Sequence, residues 1–331
     1  MTALPLALTQ GDPSGIGPEL ALMAYVERRS HDLPPFFLLS DAAFIARVAV
    51  DLALEIEIEN TSVAHVGDVF SRALPVVDIG CHVAGVPGSP DPTDAQSTIK
   101  SIEQAVACVA KDEARAVVTN PIAKSILYRA GFKHPGHTEF LGELARRHYG
   151  DDYRAVMMLW SQELAVVPLT IHLPLSDAPK RLTRDLIVET GEIVARDLKT
   201  RFHIANPRLA FAGINPHAGE DGALGREEIE TIAPAIAELR LRGVEAFGPF
   251  PADTMFHVAA RAKYDVALCP THDQALIPIK TLAFERGVNV TLGLPFVRTS
   301  PDHGTAFDIA GKGVADPTSL IEAIKLAGRM T

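Results

Sequence analysis

The chain has 331 residues, 47% of them hydrophobic and 22% charged, which is enough to bury a sizeable core and to suggest roughly two domains. A net charge of −10 and a pI near 5.6 exclude the basic stripe that phosphate-backbone binding needs, so nucleic acid is not an expected partner. A small anionic substrate stays open, because a few Lys and Arg in a cleft can outweigh the global charge locally.

Leu4 to Thr9 reads as a buried strand, and GDPSGIGPE then turns into a helix running to about Arg29, with Pro18 near its first turn. Phe36 to Ser40 reads as a second strand followed by a helix. From Asp94, Ile99, Ile102, Val106 and Val109 form one apolar stripe of a helix, and ARAVVTNP follows as a strand. YRAVMMLW and LAVVPLTIH read as adjacent strands, followed by a helix from about Arg181 to Leu198, the strand RLAFAGINP and a helix around Glu227 to Leu241. The strands YDVALCP and VNVTLGLPF come next, and Asp316 and Pro317 open a terminal helix, PTSLIEAIKLAGR. This alternation predicts an α/β protein with a mixed, largely parallel sheet. No repeat or long linker is visible, so any lobes are interleaved along the chain.

Cys81, Cys108 and Cys269 are widely spaced, odd in number and without a CxxC, which predicts buried small hydrophobes in a reducing compartment. The start lacks a basic segment followed by a long apolar stretch, and no run of about 18 uncharged apolar residues occurs. A cytoplasmic protein with no membrane partner is expected.

Three histidines fall just past strand ends: His172 in LTIHLPL, His217 in GINPHAGE and His272 in CPTHDQAL. In α/β sheets ligands collect where strands end, and three imidazoles from separate loops can hold a divalent metal while leaving positions open for substrate. Singly, each reads more simply as a hydrogen-bonded loop residue. Downstream lie Asp273, Lys280, Asn289, Arg298, Asp302 and His303, with Arg298 ending the strand-like run VNVTLGLPFVR. A guanidinium there suits a carboxylate or phosphate. TNPIAKSILYRAGFKHPGHTEF carries Asn120, Lys124, His137, Thr138 and Glu139, and Pro135-Gly136 places His137 and Thr138 at a turn entering a helix. Thr138 is there either a plain N-cap or an anion contact. The loop GDPSGIGPE is either a phosphate cradle or a tight turn, matching neither GxGxxG nor a Walker motif. Serine- and cysteine-nucleophile schemes find no motif.

In this order, GDPSGIGPE, TNPIAKSIL, PGHTEF, GINPHAGE, GPFPADTMF, THDQALIPIK and VNVTLGLPFVRTSPDHGTAFDIAG closely resemble the PdxA family, the 4-hydroxythreonine-4-phosphate dehydrogenases of vitamin B6 biosynthesis, over about residues 8 to 325. The resemblance implies that His172, His217 and His272 bind one divalent metal, zinc, magnesium or cobalt, across a homodimer interface. It also implies that His137, Thr138, Lys280, Asn289 and Arg298 bind the substrate, with Asp253 and Asp273 near the site. The general base stays open between Lys280 and an Asp.

The two chain ends are also similar to isocitrate and isopropylmalate dehydrogenases, which implies a two-lobed fold of that type. On that likeness residues 1–135 and 276–331 form a nucleotide-binding lobe, and 136–275 a central lobe with the metal ligands and dimer interface. His303, Gly304 and Asp308 would line the cofactor, with Asp308 favouring NAD over NADP by repelling a 2′-phosphate.

The implied reaction is NAD- and metal-dependent oxidation of 4-phosphooxy-L-threonine to 2-amino-3-oxo-4-phosphooxybutanoate, which decarboxylates to 3-amino-2-oxopropyl phosphate. Thr271 and Ala275 stand where many members have Tyr and Gly, and Ala123 where Asn is common. These departures keep a threonate or erythronate 4-phosphate dehydrogenase as the alternative within the family. A metal-dependent phosphatase is the alternative of another class.

Overall fold

The computed structural model describes residues 4–134 and 136–331, so Pro135 of the expected turn lies outside the described residues. The chain divides into two compact units, Met1–Ala155 with Leu294–Thr331, and Val156–Gly293. Residues 136–155 thus fall in the first unit and 276–293 in the second, the reverse of the lobe boundaries read from the sequence. Nothing in the composition marks these junctions.

In the first unit six strands, β1 (Leu6–Thr9), β2 (Phe36–Ser40), β3 (Ile58–Asn60), β4 (Leu74–Asp78), β5 (Ala116–Val118) and β12 (Val297–Pro301), lie in the order β3-β4-β2-β1-β5-β12. Every pairing is parallel. β1 and β2 are buried at every position, as a strand covered on both faces must be, and for that reason they read as continuous apolar runs rather than as alternation.

The second unit holds β6 (Val156–Trp160), β7 (Ala165–Pro168), β8 (Arg208–Ala212), β9 (Glu245–Phe250), β10 (Val266–Cys269) and β11 (Val288–Leu292), ordered β11-β6-β7-β10-β8-β9. β6 runs antiparallel to both β11 and β7, while β7, β10, β8 and β9 are parallel neighbours. Ser161 makes the β6–β7 hairpin tight, its Oγ accepting the N–H groups of Glu163 and Leu164. The core here joins Leu159, Val166, Ala210, Ala267 and Cys269 to Ala275 and Ile279 of the helix His272–Ala283. The architecture is therefore α/β with mixed, largely parallel strands, as the alternation predicted.

Two local readings change. The run ending at Arg298 is not one strand: β11 stops at Leu292, Gly293 takes φ 85°, and Arg298 is the second residue of β12. Asp316 accepts the Thr318 N–H at 2.9 Å, yet the terminal helix opens only at Thr318, after Pro317. Cys108 and Cys269 are buried as expected, while Cys81 is half-buried. Burial raises all three thiol pKa values, to about 11 for Cys108 and about 12 for Cys269, which leaves no activated thiolate among them.

Candidate active site

The histidine loops leave the sheet from three adjacent parallel strands of the second unit. β7 and β10 are in register at Pro168 and Cys269, and beyond them the Leu169 and Thr170 N–H groups still donate to the carbonyls of Cys269 and Pro270. His172 follows the first strand and His272 the second, so the ladder itself brings their rings together, 6.1 Å between centroids. Asp273 Oδ1 lies 2.8 Å from His272 Nδ1. With Nδ1–H donating to the carboxylate, Nε2 is left as the free donor atom.

His217 follows β8, the other neighbour of β10. It opens a left-handed run in which His217, Ala218, Glu220 and Asp221 take φ values of 53°, 53°, 42° and 55°, and Gly219 takes 79°. Each non-glycine residue there costs roughly 1–2 kcal/mol. Among the described residues of one chain, no three His, Cys, Asp or Glu side chains group closely enough to hold a metal. The donor set nonetheless fits a divalent cation in part: two imidazoles stand side by side with a carboxylate behind one of them. Asp253, in the turn Ala252–Thr254 after β9, is exposed. Lys280, two turns along the helix that starts at His272, is half-buried with its Nζ 5.6 Å from the Phe284 ring centroid. Asn289 lies on β11 opposite Leu159.

In the first unit the structure assembles a second polar cluster. Arg298 sits next to β5 in the sheet, in register with Val117, and is 4% exposed. Its Nε and Nη2 donate to Thr119 Oγ1 at 3.1 and 2.5 Å. Burial lowers its pKa to about 10, so it stays protonated at neutral pH. His137 begins the helix His137–Tyr149, whose N-cap is Gly136, so Thr138 is not the cap. The His137 Nε2 is buried without a partner among the described residues. Burial, and then the charges of Arg298 and Lys124, hold this imidazole well below its ordinary pKa, and it is neutral at pH 7. A Cβ at Gly136 would stand 3.2 Å from Lys124 Nζ. A helix N-terminus, a buried guanidinium, an ammonium and an unsatisfied ring nitrogen together favour an anion. Thr138 lines a pocket of about 290 Å³ with Glu139, Glu143 and Arg146.

Thr119 and Lys124 were within reach of the sequence reading, since both lie in the TNPIAKS motif, but spacing alone gives neither a partner. In the same unit Gly311 donates its N–H to the buried Glu19 Oε2 at 2.9 Å, tying the GPE turn to the loop of His303, Gly304 and Asp308. His303 Nδ1 contacts the Gly304 carbonyl at 3.0 Å, and Asp308 is exposed. No helix among the described residues is long and apolar enough to cross a membrane.

Comparison with known proteins adds three findings. The family model "Pyridoxal phosphate biosynthetic protein PdxA" matches residues 32–327. The chain is 58% identical to a 4-hydroxythreonine-4-phosphate dehydrogenase of Bradyrhizobium diazoefficiens, covering 99% of this chain and 97% of that protein. Crystal structures of enzymes so named from Klebsiella pneumoniae and Burkholderia phymatum superpose with TM-scores of 0.86 and 0.85. Their identities are 33% and 34%, and coverage is at least 98% of every chain involved.

Proposed function

Because the chain belongs to the PdxA family, the 4-hydroxythreonine-4-phosphate dehydrogenases of pyridoxal phosphate biosynthesis, we propose that it oxidises 4-phosphooxy-L-threonine. The enzyme is an oxidoreductase acting on a secondary alcohol with a nicotinamide cofactor, which we take to be NAD, set by His303, Gly304 and Asp308. His172 and His272, with His217 from the second copy of a homodimer, would hold one zinc, magnesium or cobalt ion. That ion would supply Lewis-acid polarisation of the substrate hydroxyl.

The chain's own groups do the rest. Arg298 and the His137 helix start take the phosphate, with Thr138, Lys280 and Asn289 fixing the remaining polar groups. His137, neutral at pH 7, can accept a hydrogen bond from a protonated phosphate oxygen or donate one to an ionised oxygen, whereas a second fixed cation could only donate. A bound nicotinamide would supply the hydride acceptor, and Lys280, Asp253 or Asp273 takes the proton of the hydroxyl. The 3-oxo acid then loses carbon dioxide, because the carbonyl formed stands β to the carboxylate. A cytoplasmic location suits the three free thiols.

The observation that carries a phosphorylated substrate is the buried Arg298 beside a His137 Nε2 that has no partner among the described residues. Thr271 and Ala275, beside the metal-ligand helix start, favour keeping threonate and erythronate 4-phosphates as second substrates to test. NADH formation from 4-phosphooxy-L-threonine, compared with those two acids with and without chelator, tests the reading. Chelator-sensitive NADH formation fastest with the amino acid is expected. Phosphate release without NADH would replace the dehydrogenase by a phosphatase.

A further inference from the structure

The left-handed segment that carries His217 is costly backbone, and something must hold it. Glu228 is positioned to do so. Its carboxylate is buried, 3% exposed, and both oxygens are aimed at the start of that segment: Oε1 accepts the Asn215 backbone N–H at 2.8 Å and Oε2 accepts from Asn215 Nδ2 at 2.9 Å. Asn215 Nδ2 is shared with Glu227 at 2.7 Å.

Three glycines mark how closely the chain folds over this carboxylate. A Cβ at Gly219 would meet Glu228 Oε2 at 2.7 Å, and one at Gly213 would meet Ala218 Cα at 2.8 Å and Glu228 Oε1 at 3.0 Å. A Cβ at Gly225 would meet Asn215 Cγ at 2.6 Å. From the other side Gln274 Nε2 donates to the Gly213 carbonyl at 2.9 Å, while its Oε1 accepts from the Thr271 N–H at 3.1 Å at the start of the His272 helix. One hydrogen-bonded path thus runs from the loop of His217 to the residue before His272. A buried carboxylate is costly to retain where the core needs only packing. Here its two acceptors are spent on one residue, two positions before a proposed metal ligand.

We infer that Glu228 is a positioning residue for the metal centre: by clasping Asn215 it fixes the left-handed segment that presents His217. The inference rests on the proposed role of His217. Outer groups that orient a ligand commonly change metal affinity about 10–100-fold when removed. Glu228→Gln keeps the acceptor for the Asn215 backbone N–H and loses the one for its side chain, so it should weaken binding about tenfold. Glu228→Ala loses both and should approach a hundredfold. Asn215→Ala should fall with the glutamine variant.

The test is titration of full-length, metal-stripped protein with cobalt(II), read by its visible absorption, with His217→Ala in parallel and far-UV circular dichroism as the fold control. Weakened binding in the Glu228 variants, with the graded order above and an altered cobalt band shape, is expected. If His217→Ala binds cobalt like the parent, the ligand assignment fails and the inference falls with it. If His217→Ala is weak but folded Glu228 and Asn215 variants bind within twofold of the parent, the inference alone is overturned. Should none of those three variants keep the parent's circular dichroism, Glu228 is a core determinant and the positioning role is wrong.

Discussion

At the start of the His137 helix Arg298 is buried and donates twice to Thr119 of its own chain, and burial, with the charges of Arg298 and Lys124, keeps His137 neutral. At the ends of β7, β10 and β8 the histidines lie at or near the surface, two of them on left-handed backbone, and among the described residues no triple closes. The difference teaches that a polar cluster can be assembled by one fold. Its donors are backbone N–H groups and side chains that neighbouring strands already bring together. A three-imidazole donor set drawn from adjacent loops would need each loop held separately.

The largest expected effect tests the open half of this contrast. His272→Ala should lose stoichiometric metal and lower turnover at least ~10³-fold, the scale of several kcal/mol of Lewis-acid stabilisation. Metal analysis alongside NADH formation checks it, and full turnover with unchanged metal content would remove His272 from the ligand set. Arg298→Ala probes the closed half and should cost about 10²-fold in kcat/KM, mostly through KM for the phosphorylated substrate. Arg298→Lys should recover only part of that, because a point charge cannot copy the fork on Thr119. Steady-state kinetics decide it.

A pH effect follows from His137. Its folded pKa lies well below the unfolded value near 6.5, so between those values the unfolded chain binds the extra proton, and stability falls as pH drops below about 6.5. The slope from this one group is at most ~1.4 kcal/mol per pH unit. Denaturant titrations at pH 7.5 and 5.5 should show the loss, and His137→Asn should flatten it; an unchanged difference would mean that His137 is not the titrating group. The smallest effect is structural: Gly150 ends the His137 helix at φ 87°, and Gly150→Ala should cost about 1 kcal/mol. Thermal unfolding measures this, with kcat unmoved.

Much of the fold was legible because strands covered on both faces must be continuously apolar and amphipathic helices must show their stripe. β1, β2, β6, β7, β8, β10 and the 95–110 helix were read on that basis. β3, β4 and β9 were not read as strands, being short, partly exposed or interrupted by proline, as in β3, with no position fully buried, and in GPF of β9. β12 was fused to its predecessor because a single glycine, Gly293, separates two apolar runs that belong to different units. The helix from His272 was hidden by Pro278 in its interior.

Read alone, the sequence set the fold class, the acidic surface, the absence of a nucleophile motif and, through ordered motifs, the family. Those depend on composition and on local order, which a string of residues carries completely. Only the tertiary structure put His172 beside His272, aimed Arg298 at Thr119, left His137 Nε2 buried and without a partner among the described residues, and closed Glu228 over Asn215. Such pairings join residues up to 179 positions apart. They arise from which strands are neighbours and in what register, and no spacing along the chain encodes that.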